Sequence, residues 1–445
     1  MDVLAKAYEL LIKYPLCDHC LGRQFALLGY AMENNVRGQA LKTALTLQAN
    51  ALALEEKTAP EGINRLEVLS VNGFSKAAEE TLKHLKKSLP KAEGEAKCYL
   101  CEDKFNQTDI IVQKALDVLK DYEYSSFLVG IELPLAVEER EDEFKGTNGI
   151  AHGESIRHEF GRVYGKAIAK AAAKEAEYLK PDIVPVINPF EETVRLQVNP
   201  LFVGGRYRKL VRDIPQSEWW CNRCRGRGCP KCGGAGKLYP DSVEAHTSKP
   251  LLEATGGAES FFHASGREDI DVRMLGSGRP FIVEIAQPKK RSIDLKQIEQ
   301  AINAEGVGKV EVSELHFAGK DDVRHLKKGE NAKKEYRLLA EFQNGVTDDQ
   351  LRMLEEKLTG AMVRQRTPLR VVHRRADIVR ERYIYKLEVK KVTLKKALLY
   401  IKCQGGLYVK ELVSGDEGRT VPNVSALLGN PAKTLKLDVL NVIME

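Results

Sequence analysis

Eight of the nine cysteines in this chain fall into four Cys-x-x-Cys pairs: Cys17 with Cys20, Cys98 with Cys101, Cys221 with Cys224, and Cys229 with Cys232. Two intervening residues let both thiolates of a pair face one tetrahedral ion, a spacing that disulfide frameworks do not favour. The stretch from Met1 to Leu16 carries Asp2, Lys6, Glu9 and Lys13 where a secretory signal would be apolar, so reduced thiols and a cytoplasmic protein are expected. The four pairs make two four-cysteine sites. One ion shared by Cys17, Cys20, Cys98 and Cys101 would fix the base of the helical region between them, and zinc is the expected occupant. Four thiolates leave no open coordination position, so the role is structural. Cys221, Cys224, Cys229 and Cys232 are a candidate second zinc site, with a tight gap between the pairs and glycines where the chain must bend.

A chain of 445 residues exceeds one ordinary core and implies several domains. The expected class is α+β, in four parts: a helical zinc-binding region over 1–107, an α/β domain over 108–215, a cysteine-rich knuckle and linker over 216–248, and a second sheet-containing domain over 249–445. A Pro/Gly linker is expected near Lys57 to Asn64. Beyond Thr108 the pattern predicts a helix over Ile111–Tyr122, a strand over Ser126–Leu133, a helix over Ser155–Leu179, and strands over Ile183–Ile187 and Thr193–Val198. Val203 to Arg212 reads as a hairpin turning at Gly204 and Gly205. The last part reads as a mixed sheet with helices on one face; its strands are Phe281–Ile285, Lys309–Phe317, Glu335–Phe342 and Tyr383–Val389. Thr347 and Gln350 form a capping box for a helix over Asp348–Leu358.

The net charge of +6 says little, but its distribution says more. Twelve Lys or Arg stand against three acids between Arg364 and Lys396, and Arg162, Lys166 and Lys170 share a helix face. Both suit phosphate, or simply water. Apolar runs are too short for a membrane span. The Gly-x-x-x-x-Gly-Lys-Ser/Thr, Gly-x-Gly-x-x-Gly and His-Glu-x-x-His patterns are absent, which argues against P-loop triphosphatases, dinucleotide enzymes and that class of zinc hydrolase. The densest chemistry is Gly266-Arg267-Glu268-Asp269-Ile270-Asp271-Val272-Arg273, three acids and two arginines in a glycine-bounded loop. An arginine beside a partly enclosed carboxylate keeps it ionised, as a nucleophile must be. Asp269 and Asp271 share a face if the loop is extended, so periodicity does not separate them.

Gly266-Arg267-Glu268-Asp269 resembles the Gly-Arg-x-Asp motif of pseudouridine synthases, whose Asp is the nucleophile. Lys334-Glu335-Tyr336-Arg337 and Tyr408-Val409-Lys410 to Asp416 are similar, in the same order, to the family's next two motifs. With Lys249-Pro-Leu-Leu-Glu-Ala-Thr-Gly-Gly, Arg279-Pro-Phe and the cysteine pairs, the chain resembles the tRNA pseudouridine synthase ten family over nearly its full length. The resemblance implies a THUMP-type RNA-binding domain ahead of a pseudouridine synthase sheet, and isomerisation of the adjacent uridines at positions fifty-four and fifty-five of the tRNA T-arm. It implies that Asp269 attacks, Tyr336 covers the base and Lys410 holds the aspartate charge, with Arg267, Tyr408 and Leu437 near the substrate. It demands no organic cofactor and names no protein partner. The competing roles are a packed strand tyrosine for Tyr336 and a core leucine for Leu437. The competing functions are a non-catalytic zinc-stabilised RNA-binding factor and a THUMP-type tRNA-modifying enzyme of another class.

Overall fold

The computed structural model describes residues 2–90, 96–328 and 332–443. It divides into two compact units, Met1–Asn199 and Pro200–Glu445.

In the first unit, α1 (Val3–Lys13), α2 (Asp18–Gly22), α3 (Asn34–Leu54), α4 (Ala59–Val71), α5 (Lys76–His84) and α6 (Thr108–Leu119) precede a small sheet. Pro60 lies within the first turn of α4, where a missing N–H costs nothing, so the expected linker is a helix start. Strands β1 (Ser126–Phe127) and β2 (Gly130–Ile131) replace the single expected strand and lie along the same flank of β4, beyond α7 (Leu135–Thr147), α8 (Ile156–Ala172) and β3 (Glu175–Ala176). Helix α8 stops short of Leu179 because Ala173 turns left-handed, at φ 51°. The unit closes with β4 (Ile183–Asn188) and β5 (Thr193–Val198), and the aromatic run Phe105, Phe160 and Tyr164 stacks through its core.

The second unit is built on one ten-stranded sheet. Its elements are β6 (Leu201–Lys209), α9 (Val243–Thr255), β7 (Glu259–Ala264), β8 (Arg273–Ala286), α10 (Leu295–Glu305), β9 (Val310–Ala318), α11 (Lys320–Lys327), β10 (Lys333–Phe342), α12 (Asp348–Leu358), β11 (Met362–Arg366), β12 (Val379–Thr393), β13 (Lys396–Gln404), α13 (Val409–Ser414), β14 (Thr420–Val421), α14 (Val424–Leu428) and β15 (Ala432–Ile443). The order is β14-β11-β12-β13-β10-β15-β8-β6-β9, with β7 also on β8, and among the described residues of this sheet only β15 and β8 pair parallel. The expected capping box forms: Gln350 N donates to Thr347 Oγ1 at 3.2 Å and Thr347 N to Gln350 Oε1 at 2.9 Å.

Two expectations differ. The segment read as a hairpin runs on through Lys209 as the single strand β6, inserted between β8 and β9. Gly204 and Gly205 serve close approach instead of a turn, since a Cβ there would stand 2.8 Å from His316 Nε2 and 2.6 Å from Leu315 Cδ2. Helices also cover both faces: Val323 and Leu326 of α11 pack on Phe202 and Ile282, whose strand neighbours Val203 and Val283 face the main core.

That main-core face changes character along the sheet. Strand alternation puts Leu338, Ala340 and Phe342 of β10 in the core, with Tyr336 and Lys334 next on the same side. On β8, Phe281, Val283 and Ile285 are followed by Arg279, and on β6 Val203 is followed by Tyr207 and Lys209. One end of the apolar face thus becomes charged, and the site forms there.

Candidate active site

Asp269 lies in the loop between β7 and β8, and backbone and side chains fix that loop from below. Fully buried Lys209 of β6 donates to the carbonyls of Ile214, Asp269 and Ile270 at 2.9, 3.2 and 3.1 Å. Glu268 points into the core, where Arg279 Nε meets it at 3.0 Å and the Tyr207 hydroxyl donates to it at 2.9 Å. Arg279 also donates to Ser265 O at 2.7 Å, and Gln216 ties Tyr207 to the Gly266 carbonyl. An ion pair this buried is favourable only when its remaining donors and acceptors are satisfied, as these are. Glu268 is therefore an anchor, and its neighbour Asp269 is left facing the cavity.

The Asp269 carboxylate has two cationic partners from separate elements. Lys410 Nζ, in the first turn of α13, is 3.2 Å from Oδ2, and Arg370 Nη1 is 3.0 Å from the same oxygen. Arg370 is held in turn by buried Glu411, whose Oε1 accepts from Arg370 Nε at 2.6 Å. Burial raises the Asp269 pKa, but Arg370, Lys410 and Arg267 together outweigh it and hold the carboxyl below the ordinary aspartate value. Lys410 also meets both carboxylate oxygens of Asp271 at 2.9 Å, although Asp271 is 62% exposed and Asp269 33%.

A cavity of about 620 Å³ opens over this carboxylate. The structure brings all six sequence-derived site residues to its lining: Asp269, Arg267, Tyr336, Tyr408, Lys410 and Leu437. Tyr336 and Leu437 come from paired strands β10 and β15, and burial raises the Tyr336 pKa, keeping the phenol neutral. Tyr408 precedes α13; Gln365 pins its backbone at 2.9 and 3.0 Å, and Arg375 donates to its hydroxyl at 3.1 Å. The Arg267 guanidinium lies 6.0 Å from the Trp219 ring, between the main cavity and a smaller one of about 240 Å³. Arg370, which sequence reasoning missed individually, belongs to the basic stretch between Arg364 and Lys396. Its place among a dozen cations hid it, and only folding shows which one reaches Asp269. The basic face expected on α8 is largely neutralised, since Arg162 pairs with Glu154 and Glu159 and Lys166 with Glu33.

Both cysteine groups converge. In each, the four sulfurs lie within 4.8 Å of one another. In the first unit Cys17 N donates to Cys98 Sγ at 3.3 Å and Cys20 N to Cys17 Sγ at 3.4 Å. In the second, Cys229 N and Gly236 N donate to Cys232 Sγ at 3.3 and 3.2 Å. Backbone N–H groups aimed at sulfur suit thiolates, and four such donors fit one metal ion.

Residues 202–443 match the family model described as "Pus10, C-terminal", and residues 111–188 the one described as "Pus10 THUMP domain, archaeal". The curated "tRNA pseudouridine synthase Pus10" of Methanocaldococcus jannaschii is 43% identical over 98% of this chain and 93% of its own length. The protein of the same name from Methanothrix thermoacetophila is 38% identical over 99% and 94%. Among solved structures, a Cbf5-Nop10-Gar1 complex aligns at 14% identity over 54% of this chain and 58% of that one, with a TM-score of only 0.28. The class of enzyme is pseudouridine synthase. Within that class, matched over nearly its whole length, the chain belongs to the Pus10 family.

Proposed function

We propose that this chain isomerises uridine to pseudouridine in the T-arm of tRNA, at positions fifty-four and fifty-five, with Asp269 as nucleophile. The observation that carries the reading is the Asp269 carboxylate, held by Lys410 and Arg370 at 3.2 and 3.0 Å in a cavity shared with Tyr336. A target uridine inside a folded arm must leave its stack, and Tyr336 offers a ring to receive it. Attack by Asp269 joins carboxylate to nucleotide; the C1′–N1 bond breaks, C1′–C5 forms, and overall one proton leaves C5 while N1 gains one. No electrons are exchanged with an outside partner, so the chain's own residues suffice. Lys410 and Arg370 keep the carboxylate ionised before attack and receive it again on release. The relatives are tRNA pseudouridine synthases, which points to tRNA as substrate, and the domain matched as THUMP suits a tRNA-holding role.

We assign zinc to both cysteine groups as a structural ion, because four thiolates close the coordination sphere. Among the described residues no helix is long and apolar enough to cross a membrane, and we place the enzyme in the cytoplasm with its tRNA. The test is pseudouridine mapping, by carbodiimide and primer extension, on unmodified tRNA incubated with wild type and Asp269→Asn. Product at the two T-arm positions from wild type alone supports the reading. Product from Asp269→Asn would sink it.

A further inference from the structure

Lys334 is a cation of the cavity lining that the chemistry above leaves unused. It stands two residues before Tyr336 on β10, so both side chains leave the same face, roughly 6.6 Å apart along the strand. Its neighbours are committed: Arg279 to Glu268, Arg370 to Asp269 and Glu411, Lys410 to Asp269 and Asp271. The Lys334 ammonium makes no hydrogen bond or ion pair among the described residues, yet Lys334 lines the cavity. The catalytic loop closes directly over it. A Cβ on Gly266, whose φ is +76°, would lie 3.0 Å from Lys334 Nζ and 3.4 Å from Arg279 Nη1.

The charged and titratable groups facing this ammonium come from β8, the loop ahead of it and β13. Arg279 of β8 repels it, Glu268 of the loop attracts it but is already shared by Arg279 and Tyr207, and the Cys403 thiol stands opposite on β13. Tyr336, neutral, lies on its own strand. Burial, then Arg279, brings the Lys334 pKa down to about 8, while Cys403 and Glu268 oppose the shift. A partly buried, uncompensated ammonium is costly and calls for an acceptor that the protein itself does not provide. Phosphate has a better partner in exposed Arg375, also on the cavity wall. The acceptor beside Tyr336 is then the edge of the ring that Tyr336 stacks.

We propose that Lys334 is a uracil-binding group, its ammonium donating a hydrogen bond to a carbonyl oxygen of the flipped base and stabilising the negative charge that this oxygen gathers during reaction. The proposal rests on the reading of the cavity as the uridine site. Whether Asp269 attacks C1′ and expels the base with the N1 electron pair, or attacks C6, the electrons displaced spread onto a ring carbonyl. A donor already in place there acts like an oxyanion hole. Lys334 keeps its proton throughout; the proton released from C5 balances the one taken up by N1.

The test compares wild type, Lys334→Met and Lys334→Arg on tRNA transcript, with pseudouridine formation followed from pH 6.5 to 9, alongside tRNA affinity and melting midpoint. Lys334→Met should lower kcat about a hundredfold with unchanged tRNA affinity and a melting midpoint no lower than wild type, because an uncompensated cation has gone. In wild type kcat/KM should fall above about pH 8, as the free ammonium deprotonates. Lys334→Met should lack that limb, and Lys334→Arg should keep more of the rate and lose the limb. A wild-type profile flat to pH 9, or Lys334→Met within threefold of wild type, overturns the proposal. So does a loss that tracks weaker tRNA binding or a lower melting midpoint, which would make Lys334 a phosphate or packing residue. Asp269→Asn run in parallel separates the two claims, since product from that variant defeats the parent reading whatever Lys334 does.

Discussion

Arg370 Nη1 stands 3.0 Å from Asp269 Oδ2, and the same guanidinium is braced from behind by Glu411 at 2.6 Å. Arg370 is the first of the charges that hold the Asp269 pKa down against burial. Removing it as Arg370→Met leaves only Lys410 and Arg267 against desolvation, so the carboxyl pKa rises. Activity that needs the carboxylate is lost as pH falls through that pKa, so the acid limb of the single-turnover rate should move to higher pH. At neutral pH the rate should fall by about ten- to a hundredfold, or about 1.4–2.8 kcal/mol in the barrier. A rate profile from pH 4.5 to 8 checks this, and an unmoved acid limb would show that Arg370 only packs.

Asp269 and Asp271 were inseparable by periodicity, and the structure gives them different surroundings. Asp271 is the more exposed and has Lys410 as its cationic partner, while Asp269 lies deeper and has Arg370 as well. Asp269→Asn should abolish product with tRNA affinity within about threefold, and Asp271→Asn should retain activity within about tenfold, since an exposed pair contributes little. Equal losses in the two variants, measured by the same mapping assay, would contradict the assignment.

Much of this was legible because the informative residues are local motifs. The Cys-x-x-Cys pairs announced two convergent clusters, and the loop from Gly266 to Arg273 announced its carboxylate. What stayed hidden depends on long-range register. Nothing in Val203-Gly204-Gly205 distinguishes a hairpin turn from a strand whose neighbours press on it, because glycine serves both; the distinction lies in Leu315 and His316. Likewise Arg370 is one arginine in a basic stretch, and Arg279 precedes a proline on an ordinary-looking strand. Arg370, between β11 and β12, meets Asp269 only through the sheet order β11-β12-β13-β10-β15-β8, and Arg279 meets Glu268 because β8 carries it back beneath the loop that precedes that strand.

The Glu268–Arg279 pair is almost completely buried, at 0% and 2% side-chain exposure. Arg279→Met leaves a carboxylate in the core with Tyr207 as its remaining donor, and should destabilise the second unit by about 3–5 kcal/mol. Adding Glu268→Gln removes the stranded charge and should restore part of that loss, a coupling that independent sites would not show. Both tryptophans, Trp219 and Trp220, lie in this unit, so urea unfolding followed by tryptophan fluorescence reads the effect. Strict additivity of the two substitutions would refute the pair as a unit.

The two cysteine groups differ in shelter, and that difference should decide the order in which metal is lost. Cys20, Cys98 and Cys101 are all within 1% of full burial and belong to the core of the first unit. In the knuckle Cys229 and Cys232 are only partly covered. A chelator reaches an ion by competing for it during local opening, and the knuckle needs little opening. Graded chelation should therefore release one zinc equivalent early, with almost no change in far-UV circular dichroism. The second should leave only as the helices of the first unit unfold, because its binding free energy is part of that unit's folding free energy. Cys98→Ser should then cost helical signal and Cys232→Ser should not, while each variant retains one equivalent by elemental analysis. Simultaneous release of both equivalents, or loss of helix with the first, would show that the knuckle and the first unit are not independent metal-stabilised bodies.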